Sequence, residues 1–112
     1  MEGAPILLLT TTGRSSGQPY TTPVGFIDAD GRLAIAAANG GADQDPDWFR
    51  NLVHRDDVTI EVPGATIRAR AVVTVGTERT TLLERLAGAL PGMSEHITGT
   101  DREIPVVVLT EV

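Results

Sequence analysis

The feature that most constrains this chain is the shortness of the gaps between its apolar runs. Ile6–Thr11, Tyr20–Ile27, Arg32–Ala38, Val58–Val62, Ala65–Val75 and Ile104–Thr110 have strand length and are rich in aliphatic and β-branched residues. Asp28-Ala29-Asp30-Gly31 separates the second from the third, and Asp30-Gly31 supplies the positive φ of a hairpin turn. Pro63-Gly64 does the same between the fourth and fifth. A parallel crossover takes about a dozen residues or more, so these joints make antiparallel neighbours. Pro23 inside the second run places that strand at an edge or a bulge.

Two helices interrupt the strands. Asp45 is the expected N-cap of the first, with Pro46 at its first position and Trp48, Phe49 and Leu52 on its apolar face to about Val53. Thr77 is the expected cap of the second, which runs to Leu90 with Leu82, Leu86 and Leu90 at a spacing of four and Leu83 beside them. Pro91-Gly92 ends it, and Met93–Gly99 fits no single element. The order βββαββαβ argues against a doubly wound parallel sheet. It predicts a mostly β, α+β fold, a six-stranded, mostly antiparallel barrel with helices packed on it.

A chain of 112 residues, 41% of them hydrophobic, makes one domain with a real core. It has no cysteine, hence no disulfide and no thiolate metal site, which fits a reducing cytoplasm. Pro5–Leu9, Leu33–Ala38 and Ile104–Leu109 are the longest apolar runs, far short of the roughly 20 residues of a membrane span. Met1-Glu2-Gly3-Ala4 lacks the basic stretch of a signal peptide. A cytoplasmic location is expected, with peripheral membrane association left open. The net charge is -6, and the nine basic residues, all Arg, are scattered, which argues against nucleic acid as a partner. An anion must therefore be held by a local cluster of backbone N–H groups and one or two Arg.

Thr12-Gly13-Arg14-Ser15-Ser16-Gly17 is such a cluster in composition. Glycines let amides converge, Ser15 and Ser16 add donors, and Arg14 adds a charged fork. The same letters also make an ordinary polar loop, and both readings stand. Gly13-x-Ser15-x-Gly17 matches a nucleophile elbow by letter, but Gln18-Pro19 and the β-type residues beyond forbid the helix an elbow requires. Ala36-Ala37-Ala38-Asn39 ends a strand in small side chains, suited to a flat ligand or to tight packing. Trp48 and Phe49 can stack on a ring, but large side chains in a small domain belong first to the core. His54 is placed as a helix C-cap or surface residue, and His96 is a candidate proton donor. The two histidines lie far apart with no carboxylates at ligand spacing, so no metal site is expected.

Taken together, these segments resemble a known family. Leu8 through Pro19 followed by Thr22-Pro23-Val24, then Ala36 through Ala42 with Pro46 through Leu52, then Thr100 through Val108, are similar in order to the three sequence blocks of the deazaflavin (coenzyme F420)-dependent nitroreductases. The resemblance implies a split barrel related to FMN-binding and pyridoxamine-oxidase-like folds. It implies an oxidoreductase passing a hydride from reduced coenzyme F420 to a quinone, an enone or a nitro compound. Arg14, Ser15 and Ser16 would meet the phosphate of the cofactor's tail. Tyr20, Thr21, Thr22, Pro23, Val24 and Gly25, with Ala36, Ala37, Ala38 and Asn39, would line the cofactor, and Trp48, Phe49, Arg50 and Asn51 would close the site. Met93 and His96 would face the substrate. For such a transfer, His96, Tyr20 or solvent can supply the proton, and backbone N–H groups near Ala37 and Ala38 can stabilise developing charge. The family usually has a basic residue in place of Ser15, Lys in place of Asn39 and often Arg in place of Tyr20. FMN in the same barrel, a non-catalytic deazaflavin carrier and a homodimer are the alternatives the residues leave open.

Overall fold

The computed structural model describes residues 5–39, 44–98 and 102–112. Its strands are β1 (Ile6–Thr12), β2 (Pro19–Gly25), β3 (Ile27–Ala29), β4 (Arg32–Ala36), β5 (Asp57–Val62), β6 (Ala65–Val73) and β7 (Val106–Glu111). Its helices are α1 (Asp47–His54), α2 (Gly76–Ala89) and α3 (Met93–Thr98). The strands form one antiparallel sheet in the order β2-β1-β5-β6-β7-β4-β3.

The sheet has seven strands, not the six expected. The run Tyr20–Ile27 divides at Phe26: β2 pairs with β1, whereas β3 turns away to pair with β4. Phe26 has a strand former's composition, so no local signal marks the break. Its backbone N–H donates to the Pro5 carbonyl at 3.1 Å. β2 and β3 are the two edges of the sheet, yet this one residue joins them. Consecutive Cα atoms are about 3.8 Å apart, so the edges must come close together and the sheet must curl into an open barrel. The predicted edge position of the Pro23 strand is borne out, since β2 is a terminal strand. Asp30 and Gly31 take φ of 59° and 91°, the predicted hairpin turn.

Alternation along β1 shows how the interior fills. Leu7, Leu9 and Thr11 are buried, whereas Ile6 and Leu8 face out. Inside the curl, Leu7, Leu9, Ile35, Ile60, Val107 and Leu109 meet Phe49 and Leu52 of α1, which closes one end of the barrel. Outside it, Leu82, Leu86 and Leu90 cover Ile27, Ala29, Ala34, Val106 and Val108. The predicted leucine stripe is thus the seam between α2 and the sheet.

Both predicted helix caps are corrected. α1 starts at Asp47 with Pro46 as N-cap and no side-chain cap, because Asp45 is taken by the Arg102 guanidinium. α2 starts at Gly76, with φ of 63°, after Val75, and Thr77 lies within its first turn. Met93–Thr98 is a short helix packed on α2. No described helix is long and apolar enough to cross a membrane.

Candidate functional site

The β1–β2 hairpin and the start of α1 enclose a cleft of about 460 Å³. One wall is the loop Gly13, Arg14, Ser15 and Ser16; another is Tyr20, Thr21 and Thr22 of β2; the third is Asp47, Trp48 and Asn51 of α1, with Thr11 at the base. Trp48 also borders an adjoining hollow of about 390 Å³ that includes Thr22, Asn39, Asp45 and Arg50.

The loop is built by its own hydrogen bonds. Gly13 N–H donates to Gln18 O at 2.8 Å and Gly17 N–H to Gly13 O at 2.9 Å. Ser16 Oγ accepts from Gln18 N–H at 3.2 Å and shares a 3.2 Å hydrogen bond with Tyr20 Oη. A Cβ at position 13 would stand 2.5 Å from Ser16 Oγ and 2.6 Å from Tyr20 Cε2, so only glycine lets these two side chains lie across the turn.

Arg14 is held from α1. Asn51 Oδ1 accepts from its backbone N–H at 3.2 Å and from its Nη1 at 2.8 Å, and Asn51 Nδ2 donates to Thr11 Oγ1 at 3.2 Å. Asn51 and Thr11 are both buried, so the amide is a fixed strut under the arginine. Nη2 of Arg14 points to Asp47 Oδ1 at 3.3 Å.

A second arginine braces the neighbouring segment. Nη2 of Arg102 donates to the carbonyls of Ala37 and Ala38 at 3.0 and 2.9 Å, and its Nη1 pairs with Asp45. Asn39, with φ of 50°, donates through Nδ2 to Gln44 O at 2.9 Å, and Arg50 Nη2 reaches Gln44 Oε1 at 3.1 Å.

Of the residues expected from sequence, Arg14, Ser15, Ser16, Tyr20, Thr21, Thr22, Trp48 and Asn51 share the cleft, and Asn39 and Arg50 border the adjoining hollow. Pro23, Val24 and Gly25 continue along β2 beyond the cleft wall, and Val24 packs on the core. Ala37 and Ala38 are buried, and Ala36 is half-buried against the α2 seam. The Ala37 N–H donates to Pro105 O at 2.9 Å, so it is not available to a ligand as expected. Phe49 is buried in the barrel and meets Trp48 edge-on at 6.4 Å, so the aromatic pair divides into one core ring and one cleft ring. Met93 and His96 lie on α3 and border neither hollow. Residues 40–42 and 100–101 of the matched blocks lie outside the described residues. Sequence reasoning missed Asp47, whose only signal was its place beside Trp48, and Thr11, which read as a strand residue.

This geometry can hold an anion on Arg14 and the serine hydroxyls and a flat ring beside Trp48. The profile of the F420H(2)-dependent quinone reductases matches residues 1–111. The chain belongs to this family. It is an F420H2-dependent reductase, and coenzyme F420 is its cofactor. The expected dependence on coenzyme F420 stands, and the family shown is that of the quinone reductases, related to the nitroreductases expected. An F420H(2)-dependent quinone reductase of Mycobacterium tuberculosis is 32% identical over 109 residues, 95% of this chain and 73% of that protein. A solved F420-H2 dependent reductase is 31% identical with a TM-score of 0.85, covering 94% of this chain and 93% of its own. Another solved chain, described as a domain-swapped dimer, is 31% identical with a TM-score of 0.85, covering 94% and 79%.

Proposed function

We propose that the cleft between the β1–β2 hairpin and α1 is the coenzyme F420 site, and that the protein reduces quinones there. The observation that carries this reading is Arg14, fixed by Asn51 on the same wall as Ser15 and Ser16 and across from Trp48. A phosphate asks for a preorganised guanidinium and hydroxyl donors, and a tricyclic ring asks for an aromatic neighbour and an extended strand edge. The cleft has both, so its residues fit the cofactor.

Reduced F420, when bound, supplies the hydride. Arg14, Ser15 and Ser16 hold the anionic end; Thr21, Thr22 and Trp48 take the ring; Asn39 and Arg50 border the space for what extends beyond it. Tyr20 brings a hydroxyl into the cleft, hydrogen-bonded to Ser16, and is the group there suited to deliver a proton to a reduced acceptor. Trp48 and the floor residue Thr11 limit water beside the ring. Enones and nitro compounds are further acceptors of the same two-electron chemistry. The whole chain acts as one split-barrel domain, and the likeness to a domain-swapped dimer supports a homodimer.

The test is anaerobic mixing of the protein and reduced F420 with a soluble quinone, an enone and a nitroarene, following cofactor oxidation. Acceleration with the quinone, lowered tenfold or more in Arg14→Met at subsaturating cofactor, is expected. Saturable F420 binding with no acceleration by any acceptor would make the chain a carrier. Tighter binding of FMN than of F420 would overturn the cofactor assignment.

A further inference from the structure

We infer that Asp47 competes with the ligand's phosphate for Arg14, and so sets how strongly the cleft distinguishes phosphorylated from unphosphorylated deazaflavins. The inference rests on the cofactor site proposed above and concerns a residue outside the expected set.

Arg14 is held by two groups that differ in kind. Asn51 is buried and neutral, and its Oδ1 orients the guanidinium through Nη1 without cancelling the charge. Asp47 is charged, and its side chain is 82% exposed; its Oδ1 lies 3.3 Å from Nη2, on the prong that Asn51 leaves open. Among the described residues, Arg14 is the one basic group within ion-pair distance of the Asp47 carboxylate. That carboxylate is a constituent of the cleft wall and also borders the adjoining hollow.

A guanidinium binds a phosphate best by presenting two parallel N–H groups. Here a carboxylate already stands at one of them. An arriving phosphate must share Nη2 with a like charge or displace it. Displacement is cheap, because an exposed ion pair of this type contributes little and the side chain opens to solvent. The cost nevertheless falls on phosphate alone: a ligand with the same ring and no phosphate does not need Nη2. Asp47 therefore stands as a weak competing anion at Nη2, which a ligand bringing its own phosphate must displace. The competing structural role is that of an acid in the first turn of α1, where it complements the helix dipole. That role changes stability and predicts no dependence on ligand charge.

The experiment is calorimetric titration of the full chain and its Asp47→Asn variant with oxidised F420 and with the same deazaflavin riboside lacking the phosphate. Calorimetry is chosen because Trp48 adjoins the substituted residue. The expected result is F420 binding roughly two to five times tighter in D47N, with the phosphate-free ligand unchanged. Unchanged or weaker F420 binding in D47N, or an equal change for both ligands, overturns the inference while leaving the site itself standing. Failure of the unsubstituted protein to bind either ligand sinks the site assignment, and the inference falls with it.

Discussion

Asn51 Oδ1 holds Arg14 at two points, accepting from its backbone N–H at 3.2 Å and from its guanidinium Nη1 at 2.8 Å. One buried amide on α1 thereby sets both the path of the β1–β2 loop and the direction of its charge. Asn51→Ala leaves the Thr11 hydroxyl, 1% exposed, without the donor it now accepts from. A loss of about 1–3 kcal/mol in stability is expected. Urea denaturation measures it, and F420 titration at low denaturant is expected to show weakened binding, because Arg14 is no longer aimed. Unaltered affinity in a folded N51A would remove the strut from the argument.

Gly13 separates the loop's shape from the protein's stability. An alanine there would press on Ser16 Oγ and Tyr20 Cε2, the ends of two exposed side chains that can move. Gly13→Ala is expected to break the Ser16–Tyr20 hydrogen bond and lower cofactor affinity about threefold to tenfold, the worth of one or two such bonds. Its melting temperature is expected to fall less than that of N51A, which differential scanning fluorimetry can check.

Leu86 tests the opposite separation. It is fully buried between α2 and the outer face of the sheet, in a cluster distinct from the one that meets α1. Leu86→Ala is expected to cost about 2–5 kcal/mol, through lost burial and a residual cavity. The folded fraction is expected to bind F420 as before, so chemical denaturation should move and the dissociation constant should not.

Arg102 uses its planar fork, not only its charge. One Nη serves the carbonyls of Ala37 and Ala38, and the other pairs with Asp45. A lysine ammonium keeps the charge but cannot reproduce the planar spacing. Arg102→Lys is expected to lose about 1–3 kcal/mol. Retention of full stability in R102K would show that charge alone ties these segments.

What could be read beforehand follows the range of each interaction. The Asp30-Gly31 turn, the Pro23 edge strand and the Leu82–Leu86–Leu90 stripe rest on local chemistry or simple periodicity, and the sequence shows them. The break at Phe26 does not, because strand propensity continues through it and only the curl of the whole sheet decides which partner Ile27 takes. Asp45 looked like a helix cap because a cap is the nearest use for it, whereas its partner, Arg102, lies 57 residues away in sequence. Within the site, the residue types of the Gly13–Gly17 loop pointed to an anion. Only the fold reveals that Asn51 aims Arg14 and that Asp47 pairs with it.

The open side of β2 has a consequence for how the molecule behaves in crowded solution. Pro19 and Pro23 are four residues apart on this terminal strand, and neither has an N–H. Four-residue spacing in a strand puts both on the same side of the backbone, and β1 pairs along the other. A foreign strand arriving at the free side would meet gaps in the row of donors it needs to add itself to the sheet. The chain's apolar, β-rich composition would otherwise invite fibrous stacking; two imino acids make its exposed border a poor template for growth.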